Sequence, residues 1–383
     1  MSAILFLAWA PFSGRAESIS SRLGASLHTL SYKTRVKIYA PVKYPLLFYK
    51  TLRLIGSERP SVIICQTPPI FCPLAAMFYA GINKGKDIRI IIDAHTATFE
   101  KPWSLPILNT LTRLAIRNAK AVIVANEELQ KLVYQNYGLM PLVLDDGVPR
   151  IDYESQDAYE ISVNRGSKYD GQHIPASLSM QAQSRLKELE DQAGTRKFAF
   201  AVISSFASDE PIDEVIKAAK ILVETTNFYI TGDTSRLASR KLLEWKQTGN
   251  NVIFTDFLNQ RDYIRLLKKV DGVIVLTRRH HNMLSGAHEA LALEKPLITS
   301  DWPPLKKYFS AGTAYVDNSV EGIVNAVKHV QLEKDQMKAE MHVLKQRKLD
   351  EWERKVSAFK EHFNEGSKRE GGKGMLGGSQ LPH

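Results

Sequence analysis

Cysteine is scarce: Cys65 and Cys72 are the only two in 383 residues. Two thiols cannot build a disulfide framework and their spacing matches no metal site, so a reducing compartment fits. Acidic residues are scarce at the start, where the first 59 residues hold two against nine basic ones. The opening MSAILFLAWAPFSG is apolar, yet it has no basic flank and is too short to span a bilayer. It reads as a first strand. No nucleic-acid fold signature accompanies the basic charge, and nucleic acid is not expected as a partner.

What is present is ample apolar residue, 44% of the chain, at a length that exceeds one ordinary domain. The net charge of +10 is unevenly placed. Residues 1–150 carry 18 Lys plus Arg against 9 Asp plus Glu, whereas the other 233 carry 33 against 32. The amino-terminal half therefore faces something anionic, such as a membrane surface, a lipid phosphate or an acidic glycan. A cytoplasmic location is expected, with peripheral contact on the inner face of the membrane.

Short β-branched runs alternate with amphipathic stretches along most of the chain. Strands are expected at Ile4–Ala10, Lys33–Ala40, Ser61–Gln66, Arg89–Asp93, Ala121–Ala125 and Pro141–Leu144. Helices are expected at Ile19–Leu30, Pro45–Ile55, Phe71–Ala80, Pro106–Asn118 and Glu127–Tyr137. Such alternation specifies a doubly wound parallel sheet. It stops after VPRID and resumes at Phe198–Ser204. Further strands follow at Phe228–Thr231 and Val252–Phe254, with helices at Pro211–Val223, Ser235–Thr248 and Gln260–Val270. The organisation reads as a first Rossmann-like domain (1–150), a linker with an insertion (151–195), a second such domain (196–330), charged carboxyl-terminal helices (331–365) and a disordered tail (366–383).

The stretch LTRRHHNMLSGAHEALALEKPLITS, residues 276–300, concentrates the chemistry. An apolar strand ends at Thr277, a basic loop follows, and a helix from Ala287 to Leu293 is closed by Pro296. Ligands of open α/β sheets bind at strand carboxyl ends. The first amides of a helix have no intrahelical partner and favour a phosphate. Ser285 is placed to cap the helix, and Gly286 to let a ligand approach the backbone. Glu289 can accept hydrogen bonds from sugar hydroxyls, and Arg278, Arg279, His280 and His281 add donors. In the first half, Asp93 and His95 emerge at another strand's carboxyl end. Gly14 and Arg15 follow the first strand, where the glycine alone would indicate only a tight turn.

This segment resembles the donor-binding motif of GT-B glycosyltransferases of group 4, the type described as group 1 glycosyl transferases. In that motif two glutamates separated by seven residues bracket a glycine-containing loop and lead into E-A-x-A-x-x-x-P. Here Glu289, Ala290, Ala292 and Pro296 match, while His281 stands where the first glutamate is usual. The resemblance extends from Ile4 to about Val330. It implies two Rossmann-like domains facing a cleft and a reaction that moves a sugar from a nucleotide sugar to a glycan, lipid-linked or small-molecule acceptor.

Residue by residue, the resemblance places His95, Glu289 and His281 at the reacting centre. Ser285, Gly286, Ala287, Arg278, Arg279 and Ser205 would lie around the donor, and Phe257 and Leu258 beside the base. Gly14, Arg15, Asp93 and His95 would line the acceptor side. The first-strand loop of the second domain, SSFASDEP, offers acids where relatives often carry a base, so Arg278 or Arg279 would supply the charge. Asp256 stands where a glycine is common. No cofactor or bound metal is implied, and the nearest acid pair, Asp145 and Asp146, reads as a turn before Gly147. The family pattern favours retention of configuration, with His281 leaving that outcome open. Two alternatives stand beside the transferase: a nucleotide-sugar epimerase of the same fold, and a non-catalytic binding protein derived from it.

Overall fold

Runs such as VIICQT, RIIIDA and FAFAV bury nearly every side chain, as strands covered on both faces must. The computed structural model describes residues 4–11, 13–31, 40–85, 87–100, 106–149, 151, 197–247 and 249–369. Six strands, β1 (Ile4–Ala8), β2 (Ser26–Thr29), β3 (Val62–Thr67), β4 (Arg89–Ala94), β5 (Ala121–Val124) and β6 (Leu142–Val143), form a parallel sheet in the order β2-β1-β3-β4-β5-β6. Six more, β7 (Phe198–Val202), β8 (Thr226–Thr231), β9 (Val252–Asp256), β10 (Gly272–Val275), β11 (Leu297–Ser300) and β12 (Thr313–Val316), form a second in the order β12-β11-β10-β7-β8-β9.

Helices connect the strands. In the first unit they are α1 (Gly14–Leu23), α2 (Ala40–Glu58), α3 (Phe71–Ile82), α4 (Ala97–Glu100), α5 (Pro106–Asn118) and α6 (Glu127–Tyr137). In the second they are α7 (Ile212–Ile221), α8 (Ser239–Lys246), α9 (Gln260–Lys269), α10 (Ser285–Ala292) and α11 (Pro303–Tyr308), followed by α12 (Val320–Arg369). The strand order reverses between β1 and β3 in one sheet and between β7 and β10 in the other. At those switch points the loops diverge and open a crevice at the strand carboxyl ends.

The last helix ties the two units together. Up to a non-helical residue at Glu333 it buries Ile323, Val327 and Val330 against the second sheet. Farther on, Met341 and Leu344 still belong to that unit, whereas Trp352, Val356 and Phe359 complete the core of the first. The crossover strand of chain at 144–148 runs beneath it. Gly147 there has φ of +69°, and a Cβ at that position would lie 2.7 Å from the Trp352 indole, so only glycine fits.

Several expected elements are corrected. The helix expected at Ile19–Leu30 starts earlier, at Gly14, where Ser13 accepts from the Ala16 amide, and it ends at Gly24 in the left-handed conformation. Ser26–Thr29 is then the second strand, pairing with β1. The strand expected at Lys33–Ala40 falls mostly outside the described residues, and Ala40 itself begins α2. The helix expected at Ser235–Thr248 is interrupted, because Asp233 caps a short 3-10 turn (Thr234–Arg236) before α8 begins. Helix α12 continues to Arg369, past the expected start of the tail. The expected linker and insertion lie outside the described residues, apart from Ile151.

Candidate functional site

At the carboxyl ends of the first sheet a set of polar side chains converges from four segments. Arg15, on the first turn of α1, is buried and pairs with Asp93 at the end of β4 (2.8 Å) and with Asp146 after β6 (2.8 Å). Burial alone would raise the Asp93 carboxyl, but the Arg15 guanidinium and His95 outweigh it and hold Asp93 well below the usual carboxylate range. Asp146 is held low in the same way, chiefly by Arg15 against the cost of burial. Gln66 Nε2, at the end of β3, lies 2.8 Å from Ser13 Oγ and 2.8 Å from His95 Nε2. His95 thus stands at the edge of the network, partly exposed and oriented by Gln66, with Asp93 Oδ2 at 3.6 Å.

The structure places the three expected acceptor-side residues Gly14, Arg15 and Asp93 in different settings. Gly14 is the first helical residue, Asp93 is fully buried, and Arg15 spends its guanidinium on two carboxylates. A buried cation between one buried and one partly buried carboxylate can hold both in position. His95 is the most exposed side chain of the network, at 38%. The acid pair at 145–146 does form a turn, since the Gly147 amide donates to Asp145 Oδ1 (3.1 Å). Both acids also have distant partners, Asp146 with Arg15 and Asp145 with Lys355 of α12 (2.5 Å).

In the second unit the loops after β7 and β10 lean on each other. The Arg278 amide donates to the Asp209 carbonyl (2.7 Å) and Thr277 Oγ1 to the Asp209 carboxylate (2.9 Å). Arg279 pairs with Asp209 (3.2 Å) and Arg278 with Glu214 (2.9 Å). The two arginines are thus paired with an acid of the facing loop, Asp209, and one of α7, Glu214, while remaining partly exposed. Ser205 is engaged as well, its amide and hydroxyl both donating to Glu210 (3.0 and 2.8 Å).

Helix α10 starts at Ser285 without a side-chain cap; Leu284 occupies the cap position. Ser285 is thus the first helical residue and does not cap. A Cβ on Gly286 would lie 2.7 Å from Ile203 Cδ1, so the glycine gives Ile203, just past β7, room to pack. The Ala287 amide already donates to the Leu284 carbonyl (3.0 Å). The amides of Ser285 and Gly286, at the helix start, have no partner within the helix. Glu289, one turn on, receives a hydrogen bond from the Tyr263 hydroxyl of α9. Burial pushes its carboxyl up to about 7, with the Tyr263 bond acting against that shift.

Phe257 and Leu258 follow β9. Phe257 is half exposed, whereas Leu258 packs on the second-unit core beside Tyr263 and Leu284. Asp256 before them adopts φ of +53°, the conformation a glycine would take without strain; a hydrogen bond from the Thr234 hydroxyl holds its carboxylate.

The two halves meet at the β10 to α10 loop. The His281 carbonyl accepts from Asn126 Nδ2 (3.1 Å) and Thr96 Oγ1 (3.4 Å) of the first unit, and Lys307 pairs with Glu127 nearby. The structure so brings His281 within one residue of the segment that carries His95. His280 stacks on Trp302 (3.9 Å between ring centres), whose indole donates to the Thr277 carbonyl (2.8 Å). Gln66, Thr96, Asn126 and Tyr263 were not singled out by sequence, and Asp146 was read only as part of a turn. Asn126 alone had a local signal, as a helix cap ahead of two glutamates.

With this geometry in view, residues 187–347 match the family model described as glycosyl transferases group 1. Among solved structures the chain resembles a glycosyltransferase from Rickettsia africae, with 13% identity and a TM-score of 0.61 over 94% of this chain and 98% of that one. It also resembles Anabaena HepE in complex with UDP-glucose, with 12% identity and a TM-score of 0.62 over 96% and 100%. A UDP-GlcNAc 2-epimerase from Neisseria meningitidis bound to UDP-GlcNAc aligns at 10% identity and a TM-score of 0.55, over 94% and 99%. No curated protein matches the chain by sequence. The fold is GT-B, and the chain carries a group 1 glycosyltransferase domain in its second half.

Proposed function

We propose that the chain transfers a sugar from a nucleotide-sugar donor, held mainly by the second unit, to a glycan or lipid-linked acceptor that enters over the basic first unit, in contact with an anionic membrane. The observation that carries this reading is the position of Glu289 and the start of α10 at the carboxyl end of β10, across the crevice from His95. In this reading the donor diphosphate lies at the Ser285 and Gly286 amides. Its charge draws Arg279 from Asp209, an exchange of one anion for another that needs little change of position. Glu289 accepts from ribose or sugar hydroxyls, and the half-exposed Phe257 lies beside the base.

Group transfer then depends on stabilising negative charge on the departing nucleoside diphosphate. Helix-start amides and an arginine aimed at that charge serve the purpose without a resident metal. His95, held by Gln66, faces the sugar, and His281 contributes its ring where relatives carry an acid. Retention of configuration is the proposed outcome. Closure of the two units around the donor excludes water from the transfer.

Thermal shift with a panel of UDP-, GDP- and ADP-sugars tests the donor site. One donor is expected to stabilise the wild type and to lose that effect with Glu289→Ala; stabilisation by none of them would count against the reading. A second reading, a binding protein without turnover, is favoured by one observation: the residue in place of the first glutamate is a histidine whose carbonyl is already tied across the crevice. Donor binding with no diphosphate release on adding acceptor extracts would select it. Interconversion of the donor into its epimer without an acceptor would select the epimerase.

A further inference from the structure

Away from the crevice, the first unit carries an outer face that its own core does not use. Helices α2, α3 and α5 lie side by side on one side of the sheet, joined by the contact of Phe48 with Phe78 (5.7 Å between ring centres) and by Met77, which packs into the core on both sides of α3. Their inward residues, among them Leu47, Ile55, Cys72, Ala76 and Ile116, are fully buried. Their outward residues are also apolar. Val42, Leu46 and Tyr49 on α2, Phe78 and Ile82 on α3, and Ile107 and Leu114 on α5 are 43–64% exposed. These seven are half of the fourteen large apolar side chains exposed among the described residues. On α2 they fall at helical spacing with Arg53 continuing the row, so they form a stripe and not scattered points.

Between α3 and α5 the face opens into a cavity of about 710 Å³, lined by Leu74, Met77, Phe78 and Leu114 and bordered by Arg89 and Lys120. It lies at the amino ends of β4 and β5, the end of the sheet opposite the crevice. The charges around the stripe are mostly basic, with Asp87 beside Arg89 and Lys120 at the cavity. The three helices carry Lys43, Lys50, Arg53, Arg113 and Arg117 and a single acid, Glu58.

We propose that the α2-α3-α5 face is the docking surface for an anionic phospholipid bilayer, with the basic residues at the headgroup phosphates and the apolar stripe in the interfacial layer. The inference rests on the membrane contact named above and locates it. Apolar side chains ringed by Lys and Arg fit a negatively charged interface, where both interactions add. A second copy of the chain fits poorly, because self-pairing of this face would oppose its basic residues to themselves. No helix among the described residues is long and apolar enough to cross a membrane, so the contact is with the surface. Phe78, Ile82, Leu114 and the cavity lie toward the amino ends of the strands, so docking through this part of the face leaves the crevice uncovered for the donor.

The test is co-sedimentation of the full chain with phosphatidylcholine vesicles, with and without phosphatidylglycerol, at low and high salt. Binding is expected only with phosphatidylglycerol, and it weakens at high salt. Two variants probe the two interactions: Phe78→Ser with Ile82→Ser, and Lys43→Gln with Arg53→Gln, Arg113→Gln and Arg117→Gln. Each is expected to lower the bound fraction about tenfold, since exposed apolar burial and headgroup charge contribute comparably. Thermal shift by the nucleotide-sugar panel is read on the same proteins and should not change, so a failed donor site and a failed docking face give different results. Absence of wild-type binding at low salt, or binding retained by both variants, overturns the proposal. So does a stable dimer in sedimentation velocity that the serine variant dissociates.

Discussion

Glu289 is partly buried beside Tyr263, and its carboxyl is pushed up by burial to about 7 from an ordinary 4.5. Between those two values the unfolded chain has released its proton while the folded chain keeps it, so the folded state loses stability as pH rises through the window. Glu289→Gln removes this dependence. At about pH 8 the variant is expected to be more stable than the wild type by about 2 kcal/mol, and near pH 4 the two should match, by urea denaturation. Equal stability at both pH values would show that the carboxyl is not strained by its site. Arg15 makes the opposite case, because its two carboxylates depend on it. Arg15→Met leaves Asp93 and Asp146 without a counter-charge and is expected to cost about 3–5 kcal/mol by the same assay; a loss below about 1 kcal/mol would contradict the buried-triad description. His95 was singled out because it sits just beyond an apolar run, at a strand's carboxyl end, and Glu289 because it opens the E-A-x-A-x-x-x-P motif. The role of Arg15 was not, since its partners lie 78 and 131 residues away and no local spacing encodes such a meeting.

Elements built from local pattern were read well where the pattern was strong. β3, β4, β7 and β10 are continuous apolar runs and appear within a residue or two of where their sequence puts them. β2 was missed because Ser26–Thr29 is an edge strand of four residues with one large apolar side chain, Leu27, and so gives little periodic signal. The acids around β7 and the arginines after β10 were read separately, as a departure and as its compensation. Their pairing needed the switch point of the sheet, which places the two loops side by side although 68 residues separate Asp209 from Thr277. The crossover at 144–148 is held by the far end of α12, where the Trp352 indole donates to the Asp145 carbonyl (3.1 Å) and covers Gly147. Gly147→Ala combines a positive φ with overlap on the indole and is expected to destabilise the protein by about 2 kcal/mol or more. Thermal unfolding checks this, and Gly138→Ala provides the comparison, since Gly138 has the same sign of φ and nothing within 4 Å of its absent Cβ.

At the scale of the whole molecule, the two units are joined by the crossover and α12 on one side and by the β10 to α10 loop on the other. Among the described residues the loop contact comprises two hydrogen bonds to the His281 carbonyl, with the Lys307 to Glu127 pair of α11 nearby. Asn126→Asp keeps the acceptor that caps α6 at the Leu129 amide but loses the donor to His281. The variant is expected to fold normally and to show a larger radius of gyration by small-angle scattering than the wild type. An unchanged radius would mean that the bond does not hold the units together. The architecture was legible from the twice-repeated alternation of strands and helices, whereas the contacts between units were not, because they join residues that the sequence pattern assigns to separate folding units.

The central claim is that Glu289 and the α10 start hold a nucleotide sugar whose transfer crosses the crevice to the side of His95. It is tested most directly by release of nucleoside diphosphate from the donor panel, comparing wild type with Glu289→Ala and His95→Ala. The account predicts slow release from one donor by the wild type and a fall of about a hundredfold or more in each variant, the size expected when a group contacting the reacting sugar is removed. Wild-type release that neither substitution reduces would place the chemistry elsewhere and contradict it.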